Sequence, residues 1–335
     1  MPTKQDLKIL QALPLDVKIL KTKQRIKEWI DFFGSDGVYV SFSGGKDSTV
    51  LLDLVRQDYP QVEAVFADTG LEYPEIREFV KRYDNVTWVR PKMRFDEVIK
   101  KYGYPIISKE VSRIINSAKF GKEWALNALK GLDSNGSKSK NDFKSRFIKY
   151  AKLLEVNFRI SNKCCYYTKE LPMDSLKKSV IMGTTTEESE QRLSGWLKVG
   201  CNAFAGKKSK PLSFWINQDI LEYIKTHNLK IATVYGEVVD KLTRKDGQFC
   251  MNGCERFCTT GAERTGCMFC LFGMHLEKGE TRLQRLDKTH PKVYDYCMNG
   301  GEFVNGLWQP NSKGLGLKYV CDKVNEVMGK ELLRY

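Results

Sequence analysis

No stretch of this sequence approaches the roughly 18 consecutive apolar residues of a membrane span. The opening residues, Met1-Pro-Thr-Lys-Gln-Asp-Leu-Lys8, lack the apolar core of a signal peptide. Both absences lead to the expectation of a cytoplasmic protein with no membrane partner. Histidine is scarce: His227, His275 and His290 stand apart, and none has His-x-x-x-His or Cys-x-x-His spacing, so they are read as structural or surface residues. Only ten prolines interrupt a chain that is 41% apolar and 11% aromatic, which excludes wholesale disorder. Acidic residues are in deficit, 41 against 55 Lys and Arg, and the net charge of +14 calls for an anionic partner. The 335 residues exceed any small disulfide-stapled scaffold and leave room for one large α/β domain with an appendage, or two modest domains. No internal repeat is evident.

Cysteine is plentiful and clustered. Of ten cysteines, Cys164 and Cys165 are adjacent, Cys250, Cys254, Cys258, Cys267 and Cys270 form a second group, and Cys201, Cys297 and Cys321 stand alone as expected buried residues. In a reducing compartment such groups read as thiols or metal ligands rather than disulfides. Charge is clustered too: residues 100–163 hold fifteen Lys and Arg against five Asp and Glu, so +10 of the net +14 falls in one candidate insertion.

Apolar spacing predicts a helix over 15–33 with Leu15, Ile19, Ile26, Ile30 and Phe33 on one face and Lys23 as its polar exception. A strand over 37–42, a turn at Ser43-Gly-Gly-Lys-Asp-Ser48 and a helix from Thr49 follow. A second strand over 62–67 leads into Asp68-Thr-Gly70 and a helix over 73–83, and a third strand spans 86–89. This βαβαβ start predicts a doubly wound, mostly parallel sheet with helices on both faces. Residues 106–160 read as basic and helical, broken by an exposed loop over 131–140. A strand over 179–182 ends at Gly183-Thr-Thr-Thr-Glu-Glu-Ser189. From about Gly236 the pattern weakens, giving an expected division into a nucleotide domain over 1–240, with 100–163 inserted, and a smaller cysteine-rich C-terminal module over 241–335.

Between a strand and a helix, Ser43-Gly-Gly-Lys-Asp-Ser48 suits phosphate binding. Gly44 and Gly45 let the backbone approach an anion, the helix start supplies N–H donors, and Lys46 adds a positive charge. It is not a Walker A loop, which needs four residues between its first glycine and Gly-Lys and then Ser or Thr, whereas Asp47 follows Lys46 here. The plainer alternative is a tight turn with Ser48 as a helix cap.

The hexapeptide resembles the PP-loop of ATP pyrophosphatases, which cleave ATP between the α and β phosphates and adenylate a substrate. Ala67-Asp-Thr-Gly-Leu-Glu-Tyr-Pro-Glu75 resembles the Asp-Thr-Gly segment of the phosphoadenosine phosphosulfate (PAPS) reductase branch and of the small subunit of ATP sulfurylase. Gly183 to Arg192 is similar to their Gly-x-Arg-x-x-Glu-Ser-x-x-Arg segment, and Lys210 to His227 to the following Pro-Leu/Ile-x-x-Trp segment. The resemblance covers roughly 37–240 and implies an adenine nucleotide alpha hydrolase-like fold. It further implies ATP and Mg²⁺ held by Ser41, Ser43, Gly44, Gly45, Lys46, Asp47 and Ser48, with Lys46, Asp47 and Ser48 catalytic. Asp68, Thr69 and Gly70 would line the adenosine side, with Gly183 and Arg192 completing the site. Two departures matter. Reductases of the branch usually carry a degraded loop, whereas this one is intact, and Thr185 stands where the family has an arginine, leaving Arg192 for an anion.

Cys164-Cys165 and Cys267-x-x-Cys270 resemble the paired motifs that hold a four-iron, four-sulfur cluster in adenosine 5'-phosphosulfate (APS) reductases. The resemblance implies a 4Fe–4S cluster on Cys164, Cys165, Cys267 and Cys270; zinc would accept the same thiolates. Cys250, Cys254 and Cys258 recur every four residues, as a packed face if helical or as a second metal site. The reductases' Glu-Cys-Gly-Leu-His-like motif is missing; Phe272-Gly-Met-His275 echoes it without the thiol.

Residues 100–163 interleave their positive charges with Trp124, Phe143, Phe147, Tyr150 and Phe158, a composition suited to nucleic acid or to a solvated helical face. The expectation is an ATP pyrophosphatase that adenylates a substrate and supports sulfur transfer to DNA or tRNA, with a sulfur-donor protein as a further partner. Its rivals are an APS or PAPS reductase and a nucleotide-sensing, nucleic-acid-binding component without turnover.

Overall fold

The computed structural model describes residues 1–137, 145–240 and 256–335. They divide into two compact units, Met1–Arg90 with Met173–Gly266, and Pro91–Pro172 with Cys267–Tyr335. This division differs from the expected boundary after residue 240: the basic segment and the C-terminal residues belong to one unit.

In the first unit a six-stranded sheet runs in the order Val86–Val89, Ala64–Ala67, Val38–Ser41, Ser179–Met182, Lys208–Ser209, Asn202–Ala203. All neighbours are parallel except the last pair. The central strands are continuous apolar runs, Val38, Tyr39 and Val40 being at most 4% exposed, because helices cover both faces of such a sheet. Strands and helices fall close to the positions read from periodicity, including the helix Leu15–Phe33. Its buried face is rotated from the expected one, however, and consists of Lys18, Thr22, Ile26, Trp29 and Ile30. The reason is a polar seam. Lys18 Nζ lies 2.8 and 2.7 Å from the Asp219 carboxylate oxygens, and Trp215 Nε1 donates to Thr22 Oγ1 at 2.9 Å. The family-like segment around Trp215 and Asp219 is thus an anchor that ties the helix Asn217–Thr226 to Leu15–Phe33.

The second unit is built around a two-residue parallel pair, Ile106–Ile107 with Leu271–Phe272. Ile106, Ile107 and Leu271 are at most 1% exposed. Beside it the helix Lys109–Lys119 is capped by Ser108 and buries Val111, Ile114, Ile115 and Ala118. Three helices of the C-terminal portion, Arg282–Thr289, Pro291–Met298 and Leu317–Met328, lie where the sequence pattern weakens. Long-range hydrogen bonds close the unit: Tyr104 Oη donates to Leu315 O at 2.8 Å, and Trp308 N to Asn157 O at 2.8 Å. No described helix is long and apolar enough to cross a membrane.

Candidate functional site

The strands Val38–Ser41 and Ser179–Met182 are neighbours in the sheet, yet the chain leaves them in opposite directions. This is a topological switch point, and open α/β sheets bind ligands at the carboxyl ends of the strands at such points. Three of the sequence-predicted segments stand at this edge. Residues 43–48 follow Ser41, Asp68 follows the neighbouring strand Ala64–Ala67, and Gly183 follows Met182, the register partner of Ser41.

The loop is closely tied. Ser43 N and Ser43 Oγ lie 3.2 and 3.1 Å from Ser48 Oγ, and the hydroxyls of Ser48 and Thr49 donate to Gly45 O at 2.9 and 3.0 Å. Gly44 has φ +69°, and a Cβ there would lie 2.8 Å from Ile76 Cγ2, so the packing of the helix Pro74–Val80 needs glycine. Gly183 packs against the first turn of the helix Lys46–Asp58, where a Cβ would come within 2.8 Å of Asp47 O. Lys46 is buried at 4% exposure, and its ammonium lies 3.2 Å from the Asp47 carboxylate. Ser48 is not the helix cap of the plainer alternative: it lies within the first turn, and its hydroxyl donates back to Gly45 O. The helix itself starts from Gly45, which offers no capping side chain, so an anion at the positive end of its dipole would meet backbone amides rather than a cap.

The other predicted residues have partners within the unit. Asp68, 5% exposed, receives Arg77 at 3.0 Å and Arg90 at 3.1 Å, while the Thr69 hydroxyl donates to Glu72 at 2.8 Å and Gly70 is exposed. Arg192 pairs with Glu188. Lys210 has its pKa lowered by burial and then by the charges of Arg192 and Lys208, so cations gather there. Thr185 is buried, and its backbone N–H donates to Glu188 Oε1 at 3.2 Å, a turn-closing role that needs no arginine.

Sequence reasoning missed Tyr235 and Thr265. Tyr235 Oη accepts from Lys46 N at 3.2 Å and lies 2.5 Å from Thr265 Oγ1. Neither residue belongs to a motif; they reach the loop only through the fold.

The four cysteines assigned to a cluster all belong to the second unit. The pairing of Ile106–Ile107 with Leu271–Phe272 carries Cys270 to the segment that precedes Lys109. Stacking of Tyr102 on Tyr167, with centroids 4.5 Å apart, holds the turn after Cys164 and Cys165 against the end of the helix Phe95–Tyr102. The Sγ atoms of Cys164 and Cys165 are 3.9 Å apart. Their mutual hydrogen bond, then burial, then the charges of Cys165, Cys270 and Cys267, push the Cys164 thiol up. The same hydrogen bond pulls Cys165 down against burial, helped by Lys109 and Lys169. Burial raises Cys270, with Arg282 opposing. Among the described residues no three His, Cys, Asp or Glu side chains are arranged to hold a metal ion. The donor set is one of thiols, with the charges of Lys109 and Lys169 acting on Cys165 and that of Arg282 on Cys270, a chemistry that iron–sulfur or zinc accepts.

The other cysteine and aromatic expectations change. Cys250 and Cys254 lie outside the described residues. Cys258 sits in the strand Phe257–Thr259, opposite Val239, so no helical face runs through it. Phe147, Tyr150 and Phe158 are at most 7% exposed and form core of the second unit, and Trp124 carries Arg113 at 4.6 Å. Phe143 lies outside the described residues. Phe147, Tyr150 and Phe158 are therefore core rather than stacking surface, while Phe120, among the described residues, is 76% exposed.

Residues 37–135 match the phosphoadenosine phosphosulfate reductase domain. An adenosine 5'-phosphosulfate reductase of Staphylococcus haemolyticus is 25% identical over 220 residues, covering 65% of this chain and 72% of that protein. That of Geobacillus kaustophilus is 26% identical over 201 residues, covering 59% of this chain and 66% of that one. An uncharacterized protein of Methanocaldococcus jannaschii is 38% identical over 72 residues, 20% of this chain and 18% of its own length. A solved phosphoadenylyl-sulfate reductase from Candida auris aligns over 70% of this chain and 91% of its own, at 13% identity and a TM-score of 0.37. With its mostly parallel sheet and its glycine loop at the switch point, the chain is similar to the phosphoadenosine phosphosulfate reductase domain over residues 37–135.

Proposed function

We propose that the protein is a PP-loop ATP pyrophosphatase that adenylates a substrate and supports sulfur transfer, with nucleic acid as the acceptor. The observation that carries this reading is the intact Ser43-Gly-Gly-Lys-Asp-Ser48 loop at a helix start whose N-cap is Gly45, with Lys46 buried beside Asp47. An enzyme that only binds an already activated sulfonucleotide has no need of a pyrophosphate-handling loop. A substrate oxygen attacks the α phosphorus, the bond to the bridging β oxygen breaks, and pyrophosphate leaves. The loop amides and Lys46 stabilise the charge that develops on the departing group, and Asp47 holds the loop or Mg²⁺. A sulfur nucleophile from a donor then displaces AMP. Cys164, Cys165, Cys267 and Cys270 would hold a 4Fe–4S cluster, which supplies a sulfur-binding or structural centre; zinc is the alternative occupant. The +10 of residues 100–163 supports an anionic polymer as substrate through phosphate contacts rather than stacking.

Labelled ATP incubated with and without tRNA or DNA tests the reading. Pyrophosphate release is expected from the native protein and is expected to fall about 100-fold or more in Lys46→Ala and Asp47→Ala. Full release by both variants rules out the loop assignment. A second reading, APS or PAPS reduction, is favoured by the relatives that carry those names; sulfite from either sulfonucleotide, without pyrophosphate from ATP, selects it. Nucleotide binding with neither product selects a sensing role. Iron, sulfide and zinc analysis of anaerobically purified protein tests the centre, since one equivalent of zinc without sulfide replaces the cluster.

A further inference from the structure

The mouth of the loop holds a side chain that the nucleotide reading does not use. Tyr235 is 2% exposed, and its phenol oxygen accepts the Lys46 amide at 3.2 Å. That amide is the first of the helix Lys46–Asp58, one of the donors an anion at this end requires. A Cβ placed on Gly45 would lie 3.3 Å from the phenol oxygen and 3.7 Å from Thr265 Oγ1, so both hydroxyls face the glycine side of the loop. The phenol therefore fills an acceptor position that a phosphate oxygen would take.

The backbone around Tyr235 is clasped in place. Gly261 N donates to Tyr235 O at 2.8 Å, Ala262 N to Val234 O at 2.9 Å, and Thr260 N to Glu237 O at 2.9 Å. The two segments are so close that a Cβ on Gly261 would come within 2.5 Å of Val234 O. Only the side chain is left to move, and Thr265 holds its tip at 2.5 Å. Burial first, partly opposed by the bonds to Thr265 and Lys46, pushes the phenol up to about 12, so it stays neutral at physiological pH.

We propose that Tyr235 is a displaceable plug of the phosphate loop: its phenol oxygen holds the Lys46 amide when the loop is empty, Thr265 latches it, and an entering phosphate group must exchange with it. This rests on the loop being a phosphate site. A phosphate or pyrophosphate wins the exchange because charged acceptors bond more strongly to amides, and because Lys46 and the helix start attract them.

The experiment is calorimetric titration of the full chain with inorganic pyrophosphate and Mg²⁺. Tyr235→Phe, which keeps the ring and loses the oxygen, is expected to bind pyrophosphate about three- to tenfold more tightly than the native protein, because one neutral hydrogen bond no longer competes. Thr265→Val, which frees the phenol from its latch, is expected to shift affinity in the same direction, a result that does not depend on the first variant. If the native protein binds pyrophosphate and both variants bind equally or less well, the plug is overturned while the loop reading stands. If neither the native protein nor Tyr235→Phe binds, both are overturned.

Discussion

Lys18 shows how much a single side chain can decide. It is 1% exposed, and its ammonium is held by both carboxylate oxygens of Asp219, which also accepts Ile216 N at 2.8 Å. Removing one partner of such a pair strands the other charge in a low-dielectric interior. Lys18→Met is expected to lower stability by about 3–5 kcal/mol in urea unfolding, and the double change Lys18→Met with Asp219→Asn to recover part of the loss. A single variant as stable as the native protein would show that the pair is solvated. At the loop, Lys46 is legible from the sequence because a lysine between glycine and aspartate is chemically conspicuous. Tyr235 is not, since it stands 189 positions away and a tyrosine before a glycine signals nothing by itself.

At the scale of elements, the loop depends on the helix packed beneath it. Gly44 has φ +69° and sits under Ile76 and Val80, whose methyl carbons would lie 2.8 and 2.9 Å from an added Cβ. Gly44→Ala thus combines a left-handed backbone with a clash. It is expected to cost about 1–3 kcal/mol in thermal or urea unfolding and to weaken pyrophosphate binding by an order of magnitude or more, whereas native-like stability and affinity would contradict the packing. The helix Leu15–Phe33 gives the converse lesson. Its existence follows from apolar spacing, but its buried face includes Lys18 and Thr22, which a hydrophobicity count places outside. Burial there is set by what the neighbouring helix offers, a carboxylate and an indole N–H. Phe147, Tyr150 and Phe158 give the opposite case: they interleave with lysine along the chain, yet they are buried in the core. A short helix presents charge on one side and rings on the other, so alternation along the chain says little about shared exposure.

For the molecule as a whole, the second unit joins residues 91–172 to 267–335, which are almost a hundred positions apart. A chain ending at Gly266 would leave Ile106–Ile107 without its strand partner and Tyr104 without the Leu315 carbonyl. Limited proteolysis of that truncated chain is expected to cut within 91–172 while 1–90 and 173–266 resist; equal resistance of both would show that the first segment is stable alone. If the +10 segment binds tRNA or DNA as proposed, that binding is expected to weaken steeply between about 50 and 200 mM salt, and salt-independent binding would remove phosphate contacts as its basis. The parallel sheet, its strand ends and the glycine loop between strand and helix were readable from one-dimensional pattern, because hydrophobic period, glycine and turn chemistry act over a few residues. The partition into units, the polar seam and the phenol at the loop were decided by the tertiary structure, because each joins residues distant in sequence whose contact no local spacing records.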